Sequence, residues 1–181
     1  ADKVAYVTDA FGNYVGSKSF DDAASEDASV VEAVKTAAAG AYATASEKNI
    51  SRIVKMYKDA EVVTLTPTGV QSTVNGAYTF TSEGATYYAM TASAFGYGGP
   101  VNLLYIVDEN GTIAKFKVMS HNETEYYGDV VSQSSYTNGY PGQQLDSIGD
   151  DVLVVSGCTF TTNAVKTAAA DVAAAFNAVK E

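Results

Sequence analysis

Near its C-terminus the chain reads Ser156-Gly157-Cys158-Thr159-Phe160-Thr161-Thr162-Asn163. This stretch concentrates hydroxyl side chains and the chain's one thiol at a junction between two structural types. The apolar run at residues 152–155 reads as a buried strand, and an alanine-rich segment from about Thr162 to Lys180 reads as a helix. A strand that breaks at Ser-Gly and enters a helix through hydroxyl residues makes an anion site. The first N–H groups of a helix lack intrahelical partners, and the positive end of its dipole points at them. The same residues would also serve a plain strand–turn–helix connection, capped by Thr161 or Thr162, with no ligand.

Two upstream stretches carry further candidate chemistry. Phe95-Gly96-Tyr97-Gly98-Gly99-Pro100 is a glycine-dense loop before an apolar hairpin. Its glycines permit close backbone approach, which a flat ring system could use, although a turn alone would explain them. The hairpin, residues 103–119, ends in His121-Asn122-Glu123-Thr124. A single histidine cannot anchor a metal site, and as a solvated loop residue it needs no further role. No Ser/His/Asp set and no paired carboxylates point to hydrolysis.

Taken in order over residues 96–180, these three stretches resemble the FMN-binding domains of bacterial electron-transfer proteins, the RnfG and NqrC kind. Ser156-Gly157-Cys158-Thr159 resembles the family's Ser-Gly-Ala-Thr signature, the glycine loop its Gly-Tyr-Gly-Gly, and residues 121–128 its His-x-Glu-Thr-Pro-Gly-Leu-Gly. In that family the signature's last Thr carries FMN through a phosphoester bond made by a flavin transferase. The resemblance therefore implies covalent FMN on Thr159. It places the phosphate near Ser156, Gly157, Cys158, Thr161 and Thr162, with the two threonine hydroxyls as donors. It puts Gly96, Tyr97, Gly98, Gly99, Glu123, Thr124 and Tyr127 around the ring, with a hydroxyl from Thr124 and cover from Tyr127.

Three departures accompany the resemblance. Glu125, Tyr126 and Tyr127 replace Pro, Gly and Leu, and Cys158 replaces Ala. A thiol is only slightly larger than a methyl group and fits the same place. Where the family has Asp six residues before the acceptor, this chain has Leu153, with Asp150 and Asp151 the nearest acids. Three outcomes stay open at this point: Asp151 reaching the transferase through a bulge, weak FMN binding, or loss of it.

By resemblance the function is an extracytoplasmic electron-transfer module, on the cell surface or periplasmic side, membrane-associated and working with a redox partner protein or membrane electron-transfer chain. It would be an electron carrier, or the flavin domain of a larger reductase, and not a stand-alone catalyst. A non-covalent flavin or small-ligand module is the first alternative. A structural or adhesive surface domain is the second, favoured by the Tyr-, Thr- and Ser-rich composition.

Composition narrows the classes. Apolar residues make up 46% of the 181-residue chain, which excludes disorder throughout and allows a substantial core. A net charge of −10 argues against nucleic acid and anionic membrane surfaces as partners, and it leaves any bound phosphate dependent on local donors. One cysteine excludes an internal disulfide. No run of 18 apolar residues occurs, and the start at Ala1-Asp2-Lys3 reads as a mature or trimmed piece of an exported or membrane-anchored protein.

The positioning elements follow from periodicity. Residues 4–15 predict a strand, a turn at Gly12-Asn13 and a return strand, and residues 16–27 a polar loop. Ser29 and Glu32 form a capping-box pattern ahead of a helix over residues 30–46, and a second short helix is expected over 50–58. Strands are expected at 61–66, 77–81, 86–93, 101–107 and 112–119. In the last, alternation puts Ala114, Phe116 and Val118 on one face. Residues 120–149 have little periodicity and read as a long loop, either functional or packed on the body. Val165, Ala168, Val172, Phe176 and Val179 form the apolar stripe of the C-terminal helix. The matching Ala-Val-Lys-Thr-Ala-Ala-Ala runs at 33–39 and 164–170 read as two alanine-rich helices alike in composition, with a decayed duplication as the alternative. The expectation is an α+β fold: a twisted, mainly antiparallel sheet with flanking helices and a C-terminal helix after the attachment loop. An N-terminal hairpin and helix, 1–58, would precede an FMN-binding domain, 59–181.

Overall fold

The computed structural model describes residues 4–20, 25–69, 73–125, 128–151 and 153–180. The chain divides into two compact units, Ala1–Ser51 and Arg52–Glu181.

In the first unit β1 (Val4–Thr8) and β2 (Tyr14–Ser19) pair antiparallel. The turn between them is held by Asp9, whose Oδ1 accepts the N–H groups of Phe11 (2.9 Å) and Asn13 (2.7 Å). β2 extends past the loop start expected at Gly16, because Ser17 and Lys18 pair with Tyr6 and Ala5 of β1. Backbone pairing in a two-stranded ribbon needs no apolar side chains, so composition hides it.

One helix, α1 (Ala28–Met56), replaces the two expected. Residues 46–49, Ser-Glu-Lys-Asn, contain neither Gly nor Pro, so nothing interrupts the 3.6-residue repeat. Its cap is Asp27 and not Ser29. The Asp27 carboxylate accepts the N–H groups of Ser29 (2.8 Å) and Val30 (3.4 Å) and the Ser29 hydroxyl (2.6 Å). Glu32 instead pairs with Lys35 at 2.8 Å.

The second unit holds the sheet that positions the site. Its order β3 (Val62–Leu65), β4 (Val74–Ser82), β5 (Ala85–Phe95), β6 (Pro100–Asp108), β7 (Ile113–Ser120) follows the sequence, with antiparallel neighbours throughout. This is the α+β architecture that the strand pattern predicts. The β4–β5 connection puts Glu83 (φ 52°) and Gly84 (φ 81°) in the left-handed region, the type I′ geometry that matches strand twist.

Helix α4 (Thr159–Lys180) covers one face of this sheet. Its buried Val165, Ala168, Val172 and Phe176 meet a face made by Met90, Ala92, Leu103, Tyr105 and Val107. Phe176 meets Tyr88 edge-on, with ring centroids 5.3 Å apart. Thr73, before β4, donates both its N–H and its hydroxyl to Asp171, tying the middle of α4 to the sheet. On the opposite face Tyr57, Phe80 and Tyr87 cluster at 4.8–5.5 Å, and Lys115 lies 5.3 Å from the Tyr57 ring.

Several expectations are revised. A register shift between Ile106 and Val107 breaks the alternation of β7, so Ile113 and Phe116 are buried while Ala114 is exposed. Residues 120–149 contain a 3-10 turn (Gly128–Ser132), α2 (Ser134–Thr137) and most of α3 (Leu145–Asp151). They pack on the body through Tyr140, stacked on Phe116 at 4.0 Å and donating its hydroxyl to that of Tyr136 at 2.9 Å. Residues 153–155 form no strand, and Leu153 and Val154 are 58% and 57% exposed. With α3 reaching Asp151 and α4 starting at Thr159, these residues are only the link between two helices. Among the described residues no helix is long and apolar enough to cross a membrane.

Candidate functional site

Three chain segments converge where α4 begins: the β5–β6 tip, the tail after β7, and the link into α4. The tip is a tight turn, with the Gly96 N–H donating to the Gly99 carbonyl at 2.8 Å. The tail places Glu123 against it, and the Glu123 N–H donates to His121 Nδ1 at 3.2 Å.

Glu123 is the hub of this arrangement. Its carboxylate accepts the N–H of Tyr97 (3.3 Å), the N–H of Gly98 (3.2 Å) and the hydroxyl of Thr161 (2.7 Å). One side chain therefore joins the glycine loop to the first turn of α4. The glycines make room for it. A Cβ on Gly96 would lie 2.2 Å from Glu123 Oε1, and one on Gly128 would lie 2.3 Å from Oε2. At Gly98 the obstacle would be the Asn122 carbonyl oxygen, at 2.3 Å. The close approach expected of this loop thus serves the protein's own carboxylate and backbone.

The link into α4 turns at Gly157, with φ +83°, and Cys158 N–H donates to the Val155 carbonyl at 2.9 Å. Thr159 is the first helical residue, three positions earlier than the sequence suggests. Thr161 and Thr162 consequently lie inside the first turn and are not caps. Both are buried, and the Thr162 hydroxyl donates to the carbonyls of Cys158 (3.1 Å) and Thr159 (3.2 Å). The two hydroxyls expected as phosphate donors are thereby bonded within the fold. Ser156, Gly157 and Thr159 are exposed. Burial first, then the carboxylates of Asp129 and Glu123, push the Cys158 thiol above its ordinary range. At neutral pH it stays protonated and is no competing nucleophile.

A cavity of about 490 Å³ opens beside this helix start, lined by Tyr97, Thr124, Gly128, Gly157, Cys158, Phe160 and Thr161. Its size lies within the usual range for cofactor-sized ligands. Of the residues singled out in the sequence, Tyr97, Thr124, Gly157, Cys158 and Thr161 line it. Gly96, Gly98 and Glu123 build the wall behind. Gly99 packs on Asn122, with 3.4 Å between a Cβ there and that of Asn122. Thr162 turns into the core, while Ser156 and Thr159 border the helix start. Tyr127 lies outside the described residues. Gly128 and Phe160 are lining residues that the sequence reading did not assign. Placing the helix start at Thr159 would have turned Phe160 outward, since its neighbours Thr161, Thr162 and Val165 face in.

The fold is a small α+β domain with a cavity of cofactor size at the start of the helix that backs the sheet. Residues 96–174 match the family model described as "FMN-binding domain". Two curated relatives are similar to part of the chain. One is a component of the proton-translocating ferredoxin:NAD(+) oxidoreductase complex of Clostridium ljungdahlii (strain ATCC 55383 / DSM 13528 / PETC). It is 29% identical over 86 residues, 43% of this chain and 46% of that protein. The other is a component of the ion-translocating oxidoreductase complex of Cereibacter sphaeroides (strain ATCC 17029 / ATH 2.4.9). It is 33% identical over 75 residues, 40% of this chain and 34% of that protein. The chain spans less than half the length of either relative.

Proposed function

We propose that this chain is an extracytoplasmic electron-transfer module in which FMN is linked by a phosphoester to Thr159. The observation that carries the reading is the placing of Thr159. Its side chain stands exposed on the first residue of α4, next to two lining residues of the cavity, Cys158 and Phe160. A modifying enzyme can reach an exposed hydroxyl there, and a phosphate held at a helix start is favoured by the unpaired N–H groups and the dipole. FMN supplies one- and two-electron chemistry when bound.

The protein's part is position. Glu123 occupies the Tyr97 and Gly98 N–H donors of the glycine loop, so those groups are not available to a phosphate, whereas a helix start favours one. Thr124 and Cys158 face the cavity without a charge, which suits a conjugated ring. Thr159 acts as a tether, keeping the cofactor at high local concentration outside the cell. The partners under this reading are a flavin transferase, which breaks the phosphate–nucleotide link of its flavin donor as it esterifies Thr159, and then a redox protein or membrane electron-transfer chain. Both relatives are named as components of oxidoreductase complexes, which supports such a partner.

Leu153 replaces the acid that the family carries before the acceptor, so attachment is the step to test. Intact mass and visible spectrum should be measured after co-expression with a flavin transferase. The expected result is a gain of one FMN less water, absent in Thr159→Ala. Flavin colour that is lost on denaturation would support a non-covalent module instead. Colourless protein of unmodified mass would leave a structural or adhesive role.

A further inference from the structure

Tyr97 and Phe160 stand out on the rim of the cavity. They are 74% and 70% exposed, and their rings approach to 6.1 Å between centroids at 47°. Neither is placed by core packing. Tyr97 sits in a loop of glycines whose backbone is fixed by Glu123, which leaves its side chain on the outside. Phe160 is the one exposed large apolar residue described on α4, whose other outward positions carry only polar residues, lysines and alanines, such as Asn163, Lys166 and Ala170.

The other lining residues among those described are small: Thr124, Gly128, Gly157, Cys158 and Thr161. None of them offers the contact area that a large conjugated ring needs. Lone exposed aromatics are ordinary on a soluble protein, but two that converge on the mouth of one cavity are a feature of that cavity. Their faces, largely in water here, gain most from a flat ring system laid against them.

We propose that Phe160, with Tyr97 across from it, is the stacking contact that holds the ligand's conjugated ring at the cavity mouth. This rests on the FMN reading above, and it assigns the ring-holding role to a residue directly following the acceptor threonine. Phe160 is then a positioning residue for the ring, while Thr159 and the helix start take the phosphate.

The test uses Thr159→Ala, which can form no ester, titrated with FMN and separately with riboflavin while flavin fluorescence is followed. Adding Phe160→Ala should weaken both ligands by about tenfold, the loss of one stacked aromatic face. An equal loss for riboflavin, which lacks the phosphate, marks the ring as the contact. Adding Tyr97→Phe should raise the bound fluorescence, because a phenol touching an excited flavin quenches it and a phenyl ring does not. On transferase-loaded protein, Phe160→Ala should reduce the visible circular dichroism of the flavin at an unchanged flavin-to-protein ratio. Unchanged affinity together with unchanged dichroism overturns the proposal. Should the unesterified flavins fail to bind, the dichroism of the loaded protein decides. Absence of flavin from the co-expressed wild-type chain as well would remove the FMN reading itself, and the stacking contact with it.

Discussion

At the residue scale the site depends on a carboxylate that need never touch the ligand. Glu123 accepts two loop N–H groups and the Thr161 hydroxyl, and no other described side chain links those segments through three such bonds. Hydrogen bonds to a charged acceptor are stronger than neutral ones, and donors left unpaired are costly. Glu123→Ala should therefore lower stability in urea unfolding by about 2 kcal/mol. It should also reduce the fraction of protein flavinylated under conditions where the variant remains folded. Gly98→Ala probes the same wall from the other side, since its Cβ would press on a backbone carbonyl that cannot rotate away. A loss of about 1–3 kcal/mol is expected there. Wild-type stability in both variants would show that the wall does not depend on this packing.

At the element scale, helix α1 tests how local chemistry sets a boundary. Bonds from the Ser29 hydroxyl and N–H, and then from the Val30 N–H, hold the Asp27 carboxyl below its ordinary range. A depressed folded-state value means that the contribution is fully present above the unfolded value and is lost as pH falls through the folded one. Asp27→Ala should accordingly show less helical circular dichroism on heating than wild type at pH 7. The difference should close in strong acid, where both side chains are uncharged. A gap that persists unchanged in acid would mean that the charge is not the source of the cap. The same boundary shows where sequence reading succeeds and where it stops. The strands of the sheet were legible because β5 and β6 are long, apolar and separated by a turn of glycines. The α4 stripe was legible because Val165, Ala168, Val172 and Phe176 recur at 3.6 residues. Periodicity says nothing about which of two adjacent polar residues caps a helix, so Asp27 hid behind Ser29. Nor could it show that residues 153–155 only bridge α3 and α4, since a short apolar run reads alike in a strand and in an exposed link. In the site, the motif residues were visible as a set. The purpose of the glycines was not, because it depends on Glu123 arriving from 25 to 27 residues away.

At the scale of the whole molecule, the net charge of −10 bears on the electron-transfer function proposed above. A strongly acidic chain creates a field that draws cations towards it and slows anions, and salt screens that field over about 10 Å at 0.1 M. The charges nearest the cavity act in the same sense: Glu123 forms its wall, and Asp129 follows the lining residue Gly128. A redox partner should therefore present a basic surface, since complementarity of this kind raises association rates more than affinity. Small one-electron acceptors isolate the effect from any docking geometry. The reduced, flavinylated domain should be oxidised faster by a cationic complex such as hexaammineruthenium(III) than by an anionic one such as ferricyanide, after correction for driving force. Each acceptor takes one electron, so two are consumed for every fully reduced flavin. Stopped-flow rates taken as ionic strength rises should fall for the cation, rise for the anion, and converge near 1 M, where the screening length is about 3 Å. Rates for the two acceptors that respond to salt alike would mean that the flavin edge is shielded from the field of the molecule, and the demand for a basic partner would lapse.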